Sequence, residues 1–176
     1  MRKKITIFMI IFLLIGVSIC FLPWQRNINT TLEGLQCRIN DVEYSDKVTI
    51  RVNGKYNQYL FRDDTFKGKI STNLHGDIWS KKDGKLVFSD NNAQLISLSN
   101  DNNDYFKNNY FGNLLCTENF SEILILVGEE TTPDSKGWYG ENGLYVVAPA
   151  DNKNDAINVA EKLSKRSVWL SECIWK

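Results

Sequence analysis

The chain holds one histidine, His75, among 176 residues. That scarcity excludes metal centres built on two or three imidazoles. Any nucleophile assisted by an imidazole has only this one base. No Gly-x-Ser-x-Gly elbow is present, so a serine hydrolase of that type has no support. No two of the cysteines Cys20, Cys37, Cys116 and Cys173 have the spacing of a zinc knuckle. Asn100 to Asn109 is dense in Asn and Asp but lacks the acid spacing, central Gly and terminal Glu of an EF-hand. It reads as a solvated loop. Neither sign of charge is in excess, with 21 basic and 21 acidic residues. There is no internal repeat, and we expect no metal and no cofactor.

One long hydrophobic run is present, at the N-terminus. Arg2, Lys3 and Lys4 precede Ile5 to Leu22, 18 residues without a charge, and Pro23 and Trp24 end the run. At ~1.5 Å rise per residue such a helix is about 27 Å long, close to the hydrocarbon thickness of a bilayer. The positive-inside rule places Arg2, Lys3 and Lys4 in the cytoplasm and the remainder outside, and Trp24 suits the interface. The expectation is a single-pass cell-membrane protein anchored by residues 1–24. The alternatives are a cleaved signal, for which Gly16-Val17-Ser18 offers small residues, and a lipoprotein signal at Cys20, for which Ile19 is too large. Beyond Trp24 the chain carries 18 basic against 21 acidic residues, a net charge of −3. No basic footprint for nucleic acid exists there. Cys37, Cys116 and Cys173 allow at most one internal disulfide, in any of three pairings.

After a polar tether over Gln25 to Thr31, the pattern from Leu32 to Lys176 is mostly of period two, the mark of half-buried strands. Val48, Ile50 and Val52 alternate with polar residues, and Asn53-Gly54 suits a type I′ hairpin turn that returns Lys55 to Phe61. One long strand with a glycine bulge is the competing reading. Phe66, Gly68 and Ile70 alternate again. Asp77 to Ser80 and Lys85 to Ser89 flank Lys81-Lys82-Asp83-Gly84 as a second hairpin, and Gln94 to Ser99 is a further strand. Glu122 to Val127 is apolar at successive positions, which predicts a central strand covered on both faces. Thr131 to Gly143 reads as a long loop, and Gly143 to Ala148 as a strand closed by Pro149. Ala156, Val159, Ala160 and Leu163 form one helical stripe, capped by Asp151 or Asn152, with basic residues at its end. Val168 to Trp175 reads as a last strand, with Trp169, Cys173 and Trp175 on one face and Val168, Leu170 and Ile174 on the other. The fold class is α+β: a mainly antiparallel β domain, sandwich or barrel-like, with one late amphipathic helix.

Two sets of residues are candidates for chemistry. A thiol can be activated by an imidazole and a nearby cation, which pairs Cys116 with His75. The order of anchor, β-rich outer domain, His, Cys and Arg resembles the sortase transpeptidases. In that family a strand ends in Thr-Leu-x-Thr-Cys, and an arginine shortly downstream supports the oxyanion. Here Leu114 and Cys116 fall near that motif, both threonines are replaced, and the next arginine is Arg166, about 50 residues on. The resemblance lies in layout and implies a cysteine-dependent envelope enzyme. The second set is Trp138 and Tyr139, two aromatics in a glycine-rich loop, able to stack on a sugar or anchor a protein, or to fold back on the core. Weighing these, we expect a non-enzymatic binding or accessory domain acting on an envelope protein or glycan, with the Cys116–His75 enzyme as the alternative.

Overall fold

The computed structural model describes residues 9–13, 16, 22–80, 85–88, 96–99, 110–132, 135–167, 170, 173 and 175. Residues 9–13 and 16 are helical. Among the described residues no helix is long and apolar enough to cross a membrane. The expected span Ile5 to Leu22 lies largely outside them.

Eleven strands and one helix follow among the described residues. They are β1 (Trp24–Arg38), β2 (Asp41–Gln58), β3 (Asp64–Thr72), β4 (Gly76–Trp79), β5 (Leu86–Phe88), β6 (Ile96–Ser99), β7 (Tyr110–Cys116), β8 (Ile123–Val127), β9 (Glu129–Thr132), β10 (Ser135–Gly137), β11 (Leu144–Ala148) and α1 (Lys153–Ser164). The main sheet runs β4-β3-β2-β1-β11-β8-β7-β6, with β5 also on β3. Every pairing in it is antiparallel. β4 and β6, at its two ends, approach one another, so the sheet curls around an inner core. Val48, Ile50, Phe66, Ile70, Leu114, Ile125 and Val146 meet there. Each such fully buried side chain contributes about 1.5–3 kcal/mol.

The outer face of β1, β11, β8 and β7 carries α1. Leu35, Cys37, Leu124, Leu126, Tyr145 and Val147 pack there against Ala156, Ala160 and Leu163. β8 and β11 are therefore buried on both faces, as the unbroken apolar run Ile123 to Val127 requires. The helix begins where expected: Asn152 accepts a hydrogen bond from the Asp155 N–H. The mainly antiparallel β fold with one late helix is as the sequence indicates.

Several local expectations are corrected. Asn53-Gly54 is not a turn. It lies inside β2, in unbroken register with Asn29 and Ile28 on one side and Lys69 and Gly68 on the other. Gly54 and Gly68 face each other under the Phe66 ring, and a Cβ on either would come within 2.7 Å of that ring. The glycine serves close approach, not positive φ. The real β1–β2 turn is Ile39-Asn40, where Asn40 takes φ 64°. Gln25 to Thr31 is not a tether but pairs with Asn57 to Arg51, so the sheet starts at Trp24.

Lys81 to Gly84, the turn of the second expected hairpin, lie outside the described residues, and its two arms do not pair with each other among those described. β4 pairs with Ile70 to Thr72 and β5 with Asp64 to Phe66, both along the same side of β3. Thr131 to Gly143 is not all loop, because β10 and the end of β9 fall within it and the two strands pair with each other. The last strand is also absent among the described residues. The Leu170 N–H donates to Ser167 O and the Cys173 N–H to Leu170 O, each bond reaching back three residues. Alternation put Leu170 and Trp175 on opposite faces, yet both are buried in the α1-side core. The chain stays there because α1 lies over the middle of the sheet, where every strand already has two neighbours. Cys37, Cys116 and Cys173 are all free. Asn100 to Asn109 lies outside the described residues.

Candidate functional site

Strand β1 carries its side chains alternately outward, as with Leu35 and Cys37, and inward, as with Gln36. Gln36 is buried, so its amide must be satisfied by neighbours. Its Nε2 donates to Tyr44 Oη at 2.9 Å. Its Oε1 lies 2.6 Å from His75 Nε2. Since Oε1 can only accept, Nε2 of His75 carries the proton. The Asp46 carboxylate nearby helps to raise the Tyr44 pKa, after burial. The His75 ring also stands edge-on to Phe111, with centroids 5.2 Å apart. Burial lowers the His75 pKa, which favours the neutral imidazole. The imidazole is thus committed to a structural polar chain at the rim of the curled sheet.

Next along β1, Arg38 forms a two-pronged pair with Glu129: Nη2 to Oε1 at 2.6 Å and Nη1 to Oε2 at 3.0 Å. The carboxylate raises the arginine's pKa further. Nη1 also donates to Asn142 O at 2.8 Å. The Ile39 N–H donates to Gly143 O at 3.1 Å, and Asn40 Nδ2 donates to Glu141 O. These bonds fasten residues 141–143 to the β1–β2 turn. Between them lies a solvent-open cleft of about 560 Å³, lined by Arg38, Glu129, Tyr139, Gly140, Glu141 and Asn142.

The structure separates the two aromatics that adjoin in sequence. Tyr139 lines the cleft and is 52% exposed. Trp138 folds back. Its Nε1 donates to Leu144 O at 3.0 Å, and its ring lies 6.1 Å from that of Trp175. It packs against the α1-side core.

The structure does not bring Cys116 and His75 together. His75 touches Phe111 at the start of β7, and Cys116 ends that strand five residues later. At ~3.4 Å per residue the strand sets the backbones of Phe111 and Cys116 about 17 Å apart, and the hydrogen bonds of His75 go to Gln36 and Thr72. Cys116 is half-buried as a residue, but its thiol is pushed far above its ordinary pKa by burial, and Arg166 nearby offsets only part of this. Arg166 is thus the charge that acts on the thiol, and the imidazole is not among the groups that do. Among the described residues no group of three His, Cys, Asp or Glu could hold a metal ion.

Arg38 was missed from sequence. The one signal for it was a polar pair, Gln36 and Arg38, at positions that alternation turns inward. Its partner Glu129 is 91 residues away, and no local pattern links them. No protein-family model, curated protein or solved structure matches the chain.

Proposed function

We propose that this chain is a membrane-anchored, extracytoplasmic binding domain with a non-enzymatic role at the cell envelope, and that the cleft around Tyr139 receives its partner. One observation carries the reading. The apolar run Ile5 to Leu22 joins the sheet at Trp24, the first residue of β1, and the cleft is built on Arg38, the last. The fourteen steps from Trp24 to Arg38, at ~3.3 Å each, make β1 up to about 45 Å long. An anchor at one end therefore presents the cleft well away from the bilayer. Arg38 and Glu129 neutralise each other, and Glu141 leaves the cleft acidic. That charge disfavours polyanionic glycans and suits a segment of an envelope protein, with Tyr139 as the aromatic contact.

The test is photocrosslinking in intact cells of the native host. A photoreactive residue replaces Tyr139 in one strain and exposed Thr31 of β1 in another. A discrete protein adduct from position 139 and none from position 31 is expected. Absence of an adduct at 139, or the same adducts from both positions, would remove the cleft from consideration.

A further inference from the structure

The exposed large hydrophobic residues of the described sheet and its loops are not scattered. Leu22, Trp24, Leu60 and Phe61 are 62%, 64%, 58% and 74% exposed, and only Leu74 and Tyr139 lie elsewhere. Trp24 pairs with Gln58, two residues before Leu60. The β2–β3 turn that carries Leu60 and Phe61 is fixed rather than loose. Asp64 accepts the Tyr59 N–H at 2.8 Å and the Tyr56 hydroxyl at 2.8 Å, which ties the two ends of the turn together. Arg62 lies over the Tyr59 ring at 3.8 Å. The turn therefore projects two adjacent apolar side chains at the end of the molecule opposite the cleft.

The same end receives the apolar run. Only Pro23 separates Leu22 from Trp24, so the run ends within about 7 Å of the sheet. Cross-strand partners lie ~5 Å apart, and two further residues add at most ~7 Å. Leu60 is thus within roughly 12 Å of Trp24. The interfacial zone on each side of a bilayer's hydrocarbon core is several ångströms deep, and apolar groups of surface-bound segments sink about 5–10 Å into it. Charges around the tip are of both signs, with Arg26, Lys55, Arg62 and Lys67 against Asp63, Asp64 and Glu118. The pull to a membrane there is apolar rather than electrostatic.

We infer that Trp24, Leu60 and Phe61 form a second membrane contact, seated in the interfacial layer of the bilayer that holds Ile5 to Leu22. This rests on the reading of that run as the anchor. With two points of attachment the domain cannot swivel freely about Pro23, and β1 and β2 stand up from the surface and hold the cleft outward.

The full chain, its cysteines left in place, is reconstituted into zwitterionic phosphatidylcholine vesicles. One environment-sensitive fluorophore replaces Phe12, Leu60 or Tyr139, all exposed positions. Lipids brominated either near the headgroup or deep in the acyl chain serve as quenchers. The inference expects position 60 to lose emission to the shallow bromines, position 12 to the deep ones, and position 139 to neither. Quenching at 12 but not at 60 would overturn the second contact and leave the anchor standing. Shielding at 60 from an aqueous quencher but not from bromolipid would show a second copy of the chain in place of lipid, and would also overturn it. No quenching at 12 would remove the anchor reading, and this inference with it.

Discussion

Trp138 and Tyr139 adjoin in sequence, and the structure gives them opposite fates. Trp138→Ala removes a half-buried ring, so about half of the 3–5 kcal/mol typical of a buried Trp→Ala change is lost. The contact with Trp175 adds roughly 0.5–1.5 kcal/mol and the Nε1–H bond to Leu144 O about 1 kcal/mol, with some overlap. About 3 kcal/mol in all is expected. Tyr139→Ala removes an exposed ring and should stay within ~0.5 kcal/mol. The assay is urea unfolding of the full chain in detergent micelles, followed by far-UV circular dichroism. With a slope of ~2 kcal/mol per molar, the Trp138 variant should unfold about 1.5 M earlier, and the Tyr139 variant within ~0.25 M of the parent. Equal shifts for the two variants, or a Trp138 shift as small as that expected for Tyr139, would refute the division into structural and recognition roles. A joint replacement of both residues is accordingly a poor test of binding.

Other outcomes follow from the same geometry. Burial lowers the folded-state pKa of His75 below its ordinary 6.5, so the unfolded chain binds that proton more readily. Its contribution to stability is full above ~6.5 and declines as pH falls through that value. Urea midpoints between about pH 7.5 and 5.5 should show this decline, and His75→Gln, which keeps a donor toward Gln36, should abolish it; an unchanged slope would contradict the assignment. Gly34→Ala would place a Cβ 2.1 Å from Val147 O and 2.9 Å from Ala148 Cα, contacts that only backbone movement relieves. A cost of about 3 kcal/mol is expected, lowering the thermal midpoint by roughly 6–12 °C, and a midpoint within 2 °C of the parent would show that β1 and β11 do not lie this close. With Cys20, Cys37 and Cys173 replaced, Cys116 should resist an impermeant maleimide on intact cells and react after denaturation. Rapid reaction of the folded protein would restore the thiol as a candidate nucleophile.

What the sequence determined by itself was local. Alternation in Val48, Ile50 and Val52, the unbroken run Ile123 to Val127 and the stripe Ala156, Val159, Ala160 and Leu163 each follow from how a strand or helix presents its faces. Asn152 caps α1 through a bond spanning three residues. Such signals lie within one element and need no knowledge of partners. The tertiary structure decided which strands meet. Asn53-Gly54 carries the dipeptide of a turn, but β1 and β3 pair along both sides of β2 and hold it straight, while Phe66 fills the space over Gly54. β4 and β5 adjoin in sequence yet both serve β3. Arg38 finds Glu129, and His75 finds Gln36 rather than Cys116, because the curl of the sheet joins elements far apart in the chain. Period and capping are set by neighbours a few residues away, whereas these encounters are set by the free energy of closing the whole sheet around its core.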